Sequence, residues 1–171
     1  MPSGRFAVAA CVLAAAGCRT SGVPAVRAGA GCRCGVPRDT VAATVVRVVD
    51  GDTVVLRIGG RRVRVRLIGV DAPETWLRHD CFGAEATRAL RRLIPPGSQV
   101  RAAGDAEPYD RYGRRLLYLW TTRGVFVPAA LVRAGFARAM PVPPDISRAA
   151  VFHEAEDTAR RARVGLWRAC A

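Results

Sequence analysis

The chain has 171 residues, half of them hydrophobic and 24% charged, and its 27 basic against 14 acidic residues give a formal charge of +13. That length accommodates one compact domain with an appendage and excludes two domains of ordinary size, while the apolar fraction excludes a disordered chain. The positive field suits a polyanionic partner such as nucleic acid or an anionic membrane surface, although every basic residue is Arg, a pattern that biased genome composition also produces.

The chain opens with Arg5, an apolar run from Phe6 to Ala16, then Gly17 and Cys18. This charged, apolar and small-residue order is that of an export signal over residues 1–17, and the run is shorter than the ~20 residues needed to span a bilayer. Ala15-Ala16-Gly17-Cys18 also reads as a bacterial lipobox, with Cys18 the lipid-modified first residue of the mature chain. The expected location is therefore outside the cytoplasm, either secreted or lipid-anchored at the cell surface. Residues 18–40 are Gly, Pro, Ala and Arg without periodicity, the composition of a flexible linker. The folded domain is expected over residues 41–171. Export implies an oxidising compartment, in which Cys32, Cys34, Cys81 and Cys170 allow three disulfide connectivities. The favoured pair is Cys81 with Cys170, since Cys32 and Cys34 sit too close together for an easy mutual bridge, within a Gly-rich stretch. A zinc site of Cys32, Cys34 and His79 matches no compact ligand spacing.

Val45 to Val49 and Val54 to Ile58 flank Asp50-Gly51-Asp52-Thr53, which reads as two strands around a tight turn. Gly59 and Gly60 turn the chain again. From Arg62 to Leu67 the alternation is strict, with Val63, Val65 and Leu67 on one face and Arg62, Arg64 and Arg66 on the other. Ala86, Ala89, Leu90, Leu93 and Ile94 form the apolar stripe of a helix that Pro95, Pro96 and Gly97 stop. Val100 begins a fourth strand and Arg115 to Thr121 a fifth. Pro128 opens a second helix through Phe136. A third, over Ser147 to Val164, is expected to bury Val151, Ala155, Ala159 and Ala162, with Gly165 as its stop and Leu166 and Trp167 folding back. The layout is α+β, with five strands that close into a small OB-type barrel and three helices.

Three polar clusters interrupt these elements, and each alone reads as an ordinary turn: Asp50 to Thr53, Asp71 to Glu74, and Asp110 to Arg114. Together they offer more. Asp52 and Asp71, with a backbone carbonyl, make an oxygen-only shell for a hard divalent cation such as Ca²⁺. Glu74, a short turn beyond Asp71, is placed to activate a water as general base. Arg66 and Arg114 can clamp phosphate oxygens and neutralise the charge that builds up in a transition state. Such a set is equipment for phosphodiester cleavage.

At these residues the chain resembles the thermonuclease, or staphylococcal-nuclease-like, family over Val41 to Trp167. The resemblance is carried by Asp50 to Thr53, by RLIGVDAPET from Arg66 to Thr75, by DRYGR from Asp110 to Arg114, and by LVRAGFA from Leu131 to Ala137. It implies a five-stranded OB barrel with three helices and a calcium-dependent endonuclease acting on DNA and RNA and leaving 3′-phosphates. The implied metal ligands are Asp52, Asp71 and the Ala72 carbonyl. The implied catalytic residues are Arg66, Glu74 and Arg114, with Arg111 and Tyr112 touching a flanking phosphate. Pro141 and Pro143 stand where the best-known members carry two tyrosines that stack on substrate, and the loop from Trp76 to Phe82 is shorter. No feature signals an oligomer, so a monomer is expected. The alternative is an OB module that binds nucleic acid without cutting it, and a structural lipoprotein is a further one.

Overall fold

A computed structural model describes residues 35–74 and 80–170. The export segment, Cys18, Cys32, Cys34, Trp76 and His79 lie outside the described residues. Residues 35–40 run as coil and a turn into the first strand.

The β-branched runs and the alternating arginine strand form an antiparallel meander of β1 (Val41–Val48), β2 (Thr53–Ile58) and β3 (Arg61–Leu67). With β5 (Gln99–Ala103) and β6 (Arg115–Thr121) they close a barrel in the order β1-β2-β3-β6-β5. β5 returns antiparallel to β1, and β3 meets β6 in parallel. Closure leaves these strands without a free edge. Val45, Val54, Leu56, Val65, Leu67 and Val100 fill the interior, which explains why the opposite residues of β3 are arginines.

β6 departs from strict alternation. Leu117, Tyr118, Leu119 and Trp120 are all buried, because the strand is covered on its outer side as well. Trp120 stacks on Phe126 at 4.9 Å between ring centroids, and Tyr118 and Phe126 meet Phe152 at 6.2 and 5.7 Å. Phe126 is the residue before α2 (Val127–Arg133), which has Pro128 in its first turn, and Phe152 belongs to α3 (Ala149–Arg161).

α1 (Gly83–Leu93) begins ahead of the expected stripe and buries Ala86, Ala89 and Leu90. In α3 the core face is Phe152, Ala155 and Ala159. The expected Ala162 is exposed, since the helix ends before it, and Val151 is only half-buried. Leu166 folds back as expected, within an additional single turn, α4 (Leu166–Ala169).

A second, two-stranded sheet was not legible in the pattern: β4 (Gly69–Asp71) pairs antiparallel with β7 (Arg138–Met140). Three-residue strands are too short to display a period. This small sheet carries the chain out of the barrel at Asp71 and sets Asp71 directly opposite Arg138.

Candidate active site

The first cluster is a turn with a packing duty. Both Val49 and Asp50 donate their amides to the Thr53 carbonyl, at 2.9 and 3.3 Å, which closes the loop between β1 and β2. Gly51 faces inward. A Cβ on it would stand 2.5 Å from the Ala72 Cβ and 2.8 Å from the Ala86 Cβ, so only a glycine lets this turn press against the end of β4 and against α1. The pressure buries Asp52 to 7% exposure.

Asp52 is then the hub of the acidic half. Its Oδ2 accepts the Ala72 amide at 2.9 Å and pairs with Arg66 Nη1 at 3.0 Å, while Oδ1 accepts the Thr53 hydroxyl at 3.0 Å. Arg66 reaches on to Asp71, with Nη2 to Oδ1 at 3.1 Å, and donates Nη1 to the Val70 carbonyl at 2.7 Å. One guanidinium thus bridges the two carboxylates. Burial pushes the Asp52 carboxyl up to about 7, against the pull of Arg66, and neighbouring Asp50 adds to the rise.

Glu74 is exposed, and its carboxylate has no ion pair among the described residues. Its backbone is fixed instead. Its amide donates to Asp80 Oδ2 at 3.2 Å, and its carbonyl accepts the Asp80 amide at 3.0 Å. Gly83, at the start of α1, leaves the room for this: a Cβ there would stand 2.7 Å from the Glu74 carbonyl oxygen. Cys81 and Cys170 are joined by a disulfide with Cα atoms 5.9 Å apart, which ties the segment after Asp80 to the end of α4. Asp71, Ala72, Pro73, Glu74, the two cysteines and Arg138 line one cleft of about 530 Å³.

Arg114 sits at the foot of β6, held by a turn complete in itself. Asp110 accepts the amides of Tyr112 and Arg114 at 2.9 Å each and the Arg114 Nε at 2.6 Å. Partial burial opposes ionisation of Asp110, but the Arg114 amide and guanidinium outweigh it and hold this carboxyl below its ordinary range. Arg114 Nη1 reaches Thr53 Oγ1 at 3.4 Å, and through that hydroxyl the 110–114 turn is connected to Asp52. The Tyr112 ring, 67% exposed, lies under the Arg111 and Arg114 guanidinium groups at 4.8 and 5.4 Å. Arg66, Arg111, Tyr112 and Arg114 line a second cavity of about 560 Å³, together with Met140, Val142 and Pro143.

The structure therefore brings the expected charged residues to one end of the barrel but divides them. Asp71, Ala72 and Glu74 open on one cleft, Arg66 and Arg114 on the other, and the Arg66–Asp71 pair stands between. Sequence reasoning missed Gly51, Gly83, Asp80 and Arg138. Gly51 read only as a turn residue, and the packing role of both glycines needs the third dimension. Asp80 and Arg138 carried no motif.

The donors suit a hard divalent cation. Two carboxylates already converge on a positive charge, and Asp52 is a buried carboxyl whose ionised form a further cation would favour. Asp52, Asp71 and the Ala72 carbonyl are the groups that would hold it.

The chain is similar to known nucleases. The family model described as staphylococcal nuclease homologue matches residues 64–169. The thermonuclease of Staphylococcus intermedius is 35% identical over 126 residues, which cover 72% of this chain and 74% of that protein. That of Staphylococcus hyicus is 32% identical over 72% of this chain and 73% of its own length. Endonuclease YncB of Bacillus subtilis (strain 168) is 29% identical over 131 residues, covering 74% of this chain and 62% of that protein.

Proposed function

The chain belongs to the staphylococcal nuclease family, and from that membership and the site's chemistry we propose an exported, Ca²⁺-dependent endonuclease that cuts DNA and RNA. At the coarser level it is a nuclease, a hydrolase of phosphodiester bonds. The observation that carries the finer reading is the Arg66 guanidinium held between Asp52 and Asp71, with Arg114 joined to the same hub through Thr53.

In this reading Arg66 and Arg114 take the non-bridging oxygens of the scissile phosphate, from the cavity they both line. Charge-assisted bonds of this kind strengthen as the phosphorane-like transition state gathers charge. Entry of the phosphate competes with Asp71 for Arg66 Nη2. Glu74 accepts a proton from the attacking water; the water oxygen bonds to phosphorus in line, the bond to the 5′-oxygen breaks, that oxygen takes a proton from solvent water to become a hydroxyl, and a 3′-phosphate remains. Asp52, Asp71 and the Ala72 carbonyl would hold Ca²⁺, which would supply fixed positive charge to the reacting phosphate. Arg111 and Tyr112 steady the neighbouring phosphate. Export, and lipid attachment at Cys18, rest on the order of residues 1–18; among the described residues no helix is long and apolar enough to cross a membrane.

Cleavage of single-stranded DNA, duplex DNA and RNA with Ca²⁺, with other divalent ions, and with chelator tests the reading. Calcium-dependent cleavage abolished by chelator is the expected outcome. Binding without cleavage under every metal would leave the non-catalytic OB module in its place.

A further inference from the structure

The outer face of the meander carries charge that the proposed chemistry does not use. Residues directly opposite across a sheet share one face, so the register defines rows leading away from the site. The row at the site holds Thr53 and Arg66. The next holds Arg47, Val55 and Arg64, and the one beyond holds Thr44, Arg57 and Arg62. Arg47, Arg57, Arg62 and Arg64 are all exposed, and none forms an ion pair among the described residues.

Composition alone does not explain this placement. From Thr53 to Val70 there is no acidic residue, and Arg57 lies directly opposite Arg62, an arrangement of like charges that destabilises a sheet. α3 shows the contrast: its Glu154 and Glu156 pair with Arg133 and Arg160. Arg47, Arg57, Arg62 and Arg64 thus have no ion-pair partner among the described residues, and their rows start at a residue of the proposed phosphate clamp.

Resting on the nuclease reading, we infer that the outer face of β1–β3 is a track for the flanking phosphates of a single-stranded polynucleotide whose scissile bond lies at Arg66. Alternate residues of a strand stand about 6.8 Å apart, a step suited to successive phosphates of an extended single strand. The exposed members of these rows include no aromatic side chain, so the grip is electrostatic and independent of base identity. It acts on long substrates and is blind to a dinucleotide.

The test uses the full disulfide-bonded chain and the triple variant Arg57→Ser, Arg62→Ser, Arg64→Ser. A control variant, Arg91→Ser, Arg161→Ser, Arg168→Ser, removes the same charge from exposed positions elsewhere. kcat/KM is measured on a dinucleotide and on a long single-stranded oligonucleotide across a salt series. Hydrolysis of the dinucleotide should be unchanged. On the long strand the triple variant should lose roughly tenfold at low salt, with a salt slope shallower by about 2, while the control keeps the wild-type slope. An unchanged slope, an equal loss on the dinucleotide, or an equal effect of the control overturns the track. So does a loss confined to duplex substrate, or to binding of anionic phospholipid vesicles. If the wild type cleaves nothing, the nuclease reading fails; the salt slope for binding a phosphorothioate strand then still decides whether the face holds nucleic acid.

Discussion

The corner between β3 and β4 and the turn at 110–114 each hold one arginine of the proposed clamp, and they do so by opposite means. Arg66 is fixed by Asp52 and Asp71 and by the Val70 carbonyl, in a corner that exists because a glycine twenty-one residues before Ala72 lets three segments meet. Arg114 is fixed by Asp110, four residues away, within a turn that needs little else. A site can thus combine one group whose position is a property of the whole fold with another whose position is a property of five residues.

Removing each arginine separates the two cases. Arg66→Ala and Arg114→Ala should each lower kcat/KM on DNA by about 10² to 10³-fold, the usual cost of one transition-state donor. Arg66→Ala should also unfold more easily, by about 3 kcal/mol, because it removes the partner of a buried carboxyl, whereas Arg114→Ala should cost only about 1 kcal/mol through its local pair with Asp110. Turnover and thermal denaturation of both variants check this, and equal stability would erase the distinction. Glu74→Gln should lose comparable activity with an unchanged melting temperature, since its exposed carboxylate has no ion pair among the described residues.

The corner can also be broken without touching a charge. Gly51→Ala drives a methyl into Ala72 and Ala86 and should cost about 1 to 3 kcal/mol of stability as overpacking, with loss of calcium-dependent protection against unfolding. Melting curves with and without Ca²⁺ measure both effects. A variant as stable and as calcium-responsive as wild type would mean that the corner is softer than its contacts imply.

The same contrast governs what the sequence disclosed. The turn at Asp110 to Arg114 could be read from its own letters, as could the meander, whose Val and Arg alternation is a local signal. The corner could not. Nothing in Asp50-Gly51-Asp52 tells that Gly51 is required by a methyl of Ala72 and one of α1, and β4 and β7 are too short to carry a pattern at all. The part of the α3 face that differs has the same origin: Ala155 and Ala159 are buried as expected, but a helix of Ala and Arg offers several stripes, and Phe152 replaces Val151 and Ala162 because Tyr118 and Phe126 wait for it on the body.

The self-contained turn should betray itself in its response to acid. In the folded chain the Asp110 carboxyl lies below its ordinary value, so its contribution to stability is complete above the unfolded value near 3.8 and disappears as pH falls through the lowered one. Asp110→Asn should therefore cost about 1 kcal/mol at neutral pH and nothing in strong acid, where the two melting temperatures converge. A gap that persists to low pH would place the effect in packing. The activity loss should follow the stability loss in the turn and leave the proposed calcium binding at the corner unchanged.

The smallest effect belongs to the rim that both regions face. Met140, Val142 and Pro143 line the cavity that holds Arg66 and Arg114, and Met140 and Val142 are 42% and 55% exposed. They offer apolar contact without a flat ring, where stacking on an aromatic side chain is worth about 1 to 3 kcal/mol per base. Pro143→Tyr places a ring at that wall. It should lower KM for single-stranded DNA severalfold, the low end of that range because the ring must also be ordered, while kcat stays within about twofold since no group of the clamp moves. Were kcat to change instead, the rim would be coupled to the arginines, and the division between a gripping wall and a reacting corner would not hold.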